Sequence, residues 1–319
     1  MKISKLTCAL SSALALNASF PAHGSTERCT SELTTNPARF EAPIRYNDMQ
    51  KKDLPTVLVR VDGKAAKMLL DSGTNVNILL DSSLADKKPR TDSTRIDAGV
   101  GSAVAQGVQV TLGDDHGNTL SAKFYVLPNS PLAADGYAGI LSPQAVAGHD
   151  AVVIDLDKNC FFTSTPFDIG ANHRFKVYPG KAIDNPHNIM AIPVRLDDHE
   201  IPVLVDFGAS DTSILASLVS SKPKGPASPS ATDVFGLEFP REETMRLVDL
   251  EINGQAFRAY PVIPMPTLDD KGIVSFGRIG MDILKNTVIY HDSQSGELLL
   301  LSRQASAAPA VGGRSTSSN

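Results

Sequence analysis

Apolar residues alternate with polar ones over two short stretches of the chain, through Val57, Val59 and Val61 in the first and Ile192, Val194 and Leu196 in the second. A period of two predicts a strand with one buried face. Each stretch leads through a turn, Asp62-Gly63 or Asp197-Asp198, into a more continuously apolar run, so each pair is a predicted hairpin. Both hairpins end on an aspartate, Asp71 in the first and Asp206 in the second. The glycine two residues later, Gly73 or Gly208, permits a sharp turn before another apolar strand, Ile78-Leu79-Leu80 or Ile214-Leu215, leads away. Further on, YAGILSPQAV from Tyr137 answers FGRIGMDIL from Phe276. Each is a hydrophobic segment before a short helix, followed by a closing strand at Val152 to Leu156 or Thr287 to Tyr290.

These parallels amount to an internal duplication. LVRVDGKAAKMLLDSGTNVNILL, residues 58–80, lies over PVRLDDHEIPVLVDFGASDTSIL, residues 193–215, without a gap. Val59, Arg60, Asp62, Asp71 and Gly73 fall on Val194, Arg195, Asp197, Asp206 and Gly208. The predicted class is therefore mainly β, with one lobe over residues 25–165 and a second over 191–302. Between them, 166–190 is rich in turn residues and has no sustained period, which marks a connection. SSKPKGPASPSATD in the second lobe is expected to be a surface loop, and 303–319 a disordered tail.

Composition narrows the class. At 319 residues and 42% hydrophobic, the chain can bury a sizeable core, and a net charge of -5 gives no electrostatic reason to expect nucleic acid. Lys2 and Lys5, the apolar run CALSSALALNASF and the small residues around Ala22-His23-Gly24 predict an export signal over 1–24. Its apolar part is too short to span a bilayer, so the mature chain is expected to be periplasmic or extracellular, without stable membrane insertion. Removal of the signal leaves Cys29 and Cys160, which in an oxidising compartment either bridge or remain two free thiols. A bridge closing so long a loop would add roughly 4 to 5 kcal/mol in the chain-entropy account.

The candidate chemistry sits in the two aspartate turns. Asp-Phe-Gly at Asp206 also occurs in protein kinases, but the upstream His-Arg-Asp, the strand lysine and its phosphate loop are missing, and GVGSAV at Gly99 precedes no such lysine. His116, His149, His173, His187, His199 and His291 show no zinc-ligand spacing, and no Gly-x-Ser-x-Gly elbow is present. A glycosidase would not require its carboxylates in duplicated hairpins, and the chain has no Trp for sugar stacking. No metal or cofactor is expected. The bland account, two aspartates that merely suit turns, leaves the matching strands and helices unexplained.

With Asp71-Ser72-Gly73-Thr74 and Asp206-Phe207-Gly208-Ala209 as a spaced pair, each later joined by a segment such as Arg278-Ile279-Gly280, the chain resembles the retropepsin-like branch of the aspartic proteases, in a fused two-lobe form. The resemblance implies two pseudo-twofold-related lobes with an acid-protease cleft between them. It implies flap hairpins around Asp97 to Gly107 and Asp233 to Arg246, and a monomer that cleaves peptide or protein substrates. Asp71 and Asp206 would share one proton and activate water between them, since two close carboxylates cannot both ionise.

Two positions depart from the family pattern. Phe207 stands where a hydroxyl residue usually bonds across to the other turn, which Ser72 can do and Phe207 cannot. The absent hydroxyl is expected to loosen the pair of turns. Ser142 replaces the glycine expected after Ile140-Leu141. These departures keep open a second expectation, a catalytically weak or inactive protease-like protein that binds peptides.

Overall fold

The two duplicated hairpins fold alike, residue for residue. In the computed structural model, which describes residues 29, 33–98, 100–169, 175–177, 189–266 and 275–303, the first hairpin joins β2 (Thr56–Val61) to β3 (Lys64–Leu70) and the second joins β12 (Ala191–Leu196) to β13 (His199–Val205). β2 and β12 bury and expose their six positions in the same order, and so do β3 and β13 over seven. The alternation that predicts these strands is thus the pattern by which they bury. At the first turn Asp62 and Gly63 both adopt positive φ, 48° and 82°, the mirror-image turn whose twist matches a two-residue hairpin. The export segment at 1–24, the tail from residue 304 and most of the connection at 166–190 lie outside the described residues.

Each hairpin seeds a barrel-like sheet. In the first, β3 pairs in parallel with β8 (Gly139–Leu141), and β8 runs antiparallel to β4 (Asn77–Leu79). The order continues through β7 (Thr119–Val126), β6 (Ser102–Gly113) and β5 (Ser93–Asp97), and β6 closes back on β2. The second has the same connectivity, β13 to β18 (Gly277–Ile279) to β14 (Ser213–Leu215) to β17 (Gln255–Met265) to β16 (Thr244–Ile252), with β16 closing on β12. Its outer strand, β15 (Lys224–Ala227), lies inside the run expected to be a loop. Lys224 and Ala227 pair with Arg246 and Thr244 of β16. An edge strand takes its hydrogen bonds from its neighbour and needs no apolar pattern of its own, which is why Pro and Lys are tolerated there.

A shared antiparallel sheet joins the halves. Its order is β11 (Phe175–Val177), β20 (Glu297–Arg303), β19 (Val288–Asp292), β9 (Ala151–Asp155), β10 (Cys160–Ser164) and β1 (Phe40–Arg45). At its centre β9 of the first half pairs with its duplicate β19 of the second, Ile154 opposite Ile289. Arg303, where the tail was expected to begin, is still paired with Phe175. The main core runs through both barrels, from Phe40, Val59 and Met68 to Ile192, Val203 and Phe207, so the two halves are packed as one body. Cys29 and Cys160 are joined by a disulfide, their Cα atoms 5.7 Å apart, which ties the N-terminal end of the described chain to β10.

Candidate functional site

β3 and β13 deliver Asp71 and Asp206 to one place. Each strand is pinned at its end by the β8 or β18 segment that pairs with it, Asp71 N donating to Leu141 O at 3.0 Å and Asp206 N to Ile279 O at 3.0 Å. The chain then turns, and each carboxylate accepts from the glycine amide of its own turn, Gly73 N at 2.7 Å and Gly208 N at 3.0 Å. The two turns face each other so closely that a Cβ added to Gly73 would stand 2.7 Å from Asp206 Cγ, and one added to Gly208 2.4 Å from Asp71 Cγ. A side chain at either glycine could be accommodated only by displacing the opposite carboxylate.

The electrostatics follow from this contact. Asp71 is pushed up to about 8, first by burial and then by the charge and hydrogen bond of Asp206, with the amide of Gly73 and the more distant Arg278 pulling the other way. Burial and the neighbouring carboxylate both favour the protonated form of one member of the pair. Arg278, on β18, donates from Nη1 to Asp206 Oδ2 at 3.2 Å. Its guanidinium lies 5.7 Å from the centre of the Phe239 ring. Phe239 also lines an open cavity of about 530 Å³ with Ser228, Glu238, Pro240, Arg241 and Glu243.

Ser72 and Phe207 meet at the base of the turns. Ser72 Oγ donates to Val205 O at 2.6 Å and accepts from Phe207 N at 3.2 Å. One hydroxyl thus serves both sides of the opposite turn. Phe207 sends no hydroxyl back; its ring is fully buried in the main core. Thr74 and Ala209, the last residues of the two motifs, expose their carbonyls to the short helices that follow β8 and β18. Ala209 O accepts from Met281 N at 2.9 Å, at the start of the helix Met281–Leu284.

In the first half Pro143 opens the corresponding helix, Pro143–Ala147, and has no N–H to give. Ser142 Oγ and Gln144 Nε2 donate to Thr74 O instead, at 2.7 and 2.8 Å. The departure at Ser142 is therefore a replacement donor for the one its proline neighbour lacks. Gly280 in the second half has no such freedom, because a Cβ there would lie 2.6 Å from the backbone carbon of Asp211.

Gln144 and its duplicate Asp282 were not singled out in the sequence. Gln144 Nε2 also donates to Ser72 O at 3.0 Å. Asp282 accepts from Thr212 N and Oγ1 at 3.1 and 2.8 Å and from Tyr260 OH at 3.1 Å, and its backbone N donates to Ser210 O. Both residues brace an aspartate turn from the helix behind it. The signal that could have found them is their matched offset from the segments after Ile140 and Arg278. The motif Arg278-Ile279-Gly280 by itself gives Arg278 no separate role, although the sequence does place a cation opposite Ile140 of the duplicate.

The two expected flaps also meet. The β5–β6 hairpin tip approaches the loop between β15 and β16, where Gly101 N donates to Asp233 Oδ2 at 2.7 Å. No group of three or more His, Cys, Asp or Glu placed to hold a metal occurs among the described residues. Among the same residues no helix is long and apolar enough to cross a membrane. No family model matches the sequence, and no curated protein matches it.

Proposed function

We propose that this chain is an aspartic endopeptidase of the retropepsin-like type, its two halves related by a pseudo-twofold axis and a peptide bound between them. The observation that carries the proposal is the mutual seating of the Asp71 and Asp206 carboxylates, each against the other's turn glycine, where burial and the neighbouring carboxylate push Asp71 upward. Amide hydrolysis needs one group to take a proton from water and another to give one to the scissile carbonyl. A pair sharing a single proton supplies both.

Water bound between the carboxylates loses a proton to the ionised one as its oxygen attacks the carbonyl carbon, while the protonated one transfers its proton to the carbonyl oxygen. The resulting gem-diol collapses as one hydroxyl returns a proton to the now ionised carboxylate and the amide nitrogen takes the proton that the other carboxyl gained from water, breaking the C–N bond. The pair ends as it began. No covalent intermediate is needed. The segments around 97–107 and 233–246 serve as flaps, and the protein works as an exported monomer on peptide or protein substrates.

The test is digestion of a peptide library across acidic to mildly alkaline pH. Cleavage that is lost separately in Asp71→Ala and Asp206→Ala is the expected result, and cleavage that survives either change overturns the assignment. One observation favours a second reading, a peptide-binding protein with weak or no activity: Arg278 already engages Asp206, and an ion-paired carboxylate is a poorer base. That reading predicts saturable peptide affinity that outlasts both substitutions, with no cleavage at any pH.

A further inference from the structure

We infer that Arg278 removes the equivalence of the two carboxylates, holding the negative charge of the pair on Asp206 and leaving the shared proton on Asp71. The placement of the proton is a property of these three side chains; only its catalytic use rests on the peptidase reading.

The register locates the asymmetry. Arg278 pairs with Leu204 of β13 and Ser213 of β14, and Ile140 pairs with Leu69 of β3 and Ile78 of β4. Arg278 and Ile140 are therefore the same position in the two halves, a cation in one and an aliphatic group in the other. Nη1 of Arg278 reaches Asp206 Oδ2 at 3.2 Å, with the two side chains only 20% and 6% exposed. Its Nε is buried and has no hydrogen-bond partner among the described residues, so the pairing with Asp206 is what compensates a largely desolvated cation. In such a place the attraction between opposite charges is much stronger than in water.

The other charged groups nearby are engaged elsewhere. In the loop carrying Phe239, Arg241 pairs with Glu238, and Arg246 of β16 pairs with Glu242. Behind the second turn Asp211 is raised by burial and by Asp282, and Asp282 accepts from Tyr260 OH. Asp71, reached from β3, faces Asp206 and more weakly Arg278. Among the described residues, the cation bonded to the carboxyl pair is Arg278, and it lies on the Asp206 side. Asp206 is then the group that takes the proton from water, and Asp71 the one that gives its proton to the carbonyl oxygen. The return transfer restores Asp71 as the acid, so every turnover starts from the same side.

The experiment is carboxyl ¹³C NMR of the Asp-labelled full chain, with Asp71 and Asp206 assigned through Asp71→Asn and Asp206→Asn. In the parent protein at about pH 6, between the ordinary carboxylate range and the raised Asp71, the two carbons are expected to differ as neutral acid and carboxylate. Arg278→Ile, which installs the residue of the other half, is expected to bring the two shifts together and move the Asp71 midpoint upward. Arg278→Lys keeps the charge and is expected to keep the shifts apart. A shift difference unchanged in Arg278→Ile, or lost equally in Arg278→Lys, overturns the inference. If the shift difference follows the charge at 278 but no peptide is cleaved, the placement stands and the peptidase reading falls. If peptides are cleaved while both carbons of the parent shift alike, only the placement falls.

Discussion

The hydroxyl of Ser72 bonds both sides of Phe207, accepting from its amide and donating to the carbonyl of Val205 two residues before it. All three groups are buried. Ser72→Ala leaves two buried backbone groups without this partner, and each such loss costs about 1 to 3 kcal/mol. Thermal unfolding should show that destabilisation, and Ser72→Thr should recover most of it. The fully buried Phe207 ring reverses what its missing hydroxyl suggests from sequence. Phe207→Thr trades core packing for a hydroxyl and should destabilise by about 3 kcal/mol, within the range for emptying an aromatic site. A Phe207→Thr protein as stable as the parent would show that the second hydroxyl matters more than the ring.

Gly73 and Gly208 admit no side chain without displacing the opposite carboxylate. Gly208→Ala should push Asp71 away from Asp206, separating the groups whose interaction raises it. The expected outcome is a lower Asp71 midpoint that still lies above the ordinary carboxylate range, because burial, the larger cause, remains, together with loss of any peptidase activity. The same carboxyl NMR titration that assigns the proton reads the first effect directly. Gly63→Ala is a control at a glycine with open space around it; positive φ makes it mildly destabilising, but it should leave the Asp71 titration unchanged.

Much of the arrangement was legible because the chain states it twice. The hairpins, the aspartate turns and the closing strands carry local patterns, and burial in β2, β3, β12 and β13 repeats those patterns position by position. What escaped was set by contacts distant in sequence. Nothing local to β9 says that its partner is β19, some 135 residues on. Lys224–Ala227 is a strand only because β16 offers it hydrogen bonds. Arg278 acquires its meaning from Asp206, 72 residues earlier, and Ser142 from the proline that follows it.

Titration of Asp71 makes folding stability depend on pH in a stated direction. Its folded value, about 8, lies above its ordinary value of 3.8, so between them the folded state holds a proton that the unfolded chain has released. Stability from this group is fully present below the ordinary value and declines as pH rises through the folded one. Denaturant midpoints should therefore fall from mildly acidic to mildly alkaline pH. Asp71→Asn should flatten that slope and be relatively more stable at the alkaline end. A slope that is the same in both proteins would assign the dependence to other groups.

Asp233 fastens the β5–β6 hairpin tip to the loop that approaches it from the second half. Its buried carboxylate accepts from Gly101 N through Oδ2, and from Phe235 N and Leu237 N through Oδ1. Val234 and Phe235 pack against the cluster containing Ile96, beside Ala103 of the hairpin. Ser130 Oγ, in the segment after β7, donates to Val234 O at 2.6 Å, so the same loop is also held to a second part of the first half. Asp233→Ala removes all three acceptor contacts and should cost about 1 to 3 kcal/mol if the loop partly relaxes. Asp233→Asn separates the two jobs. Its amide oxygen can still serve Phe235 and Leu237, while its NH2 faces the Gly101 amide and cannot accept from it. Hydrogen exchange should then quicken about tenfold or more at Gly101, a local opening, and stay near parent rates at Phe235 and Leu237. Equal acceleration at all three amides would mean that the loop opens as one unit and that Asp233 does not act as a separate fastening for the tip.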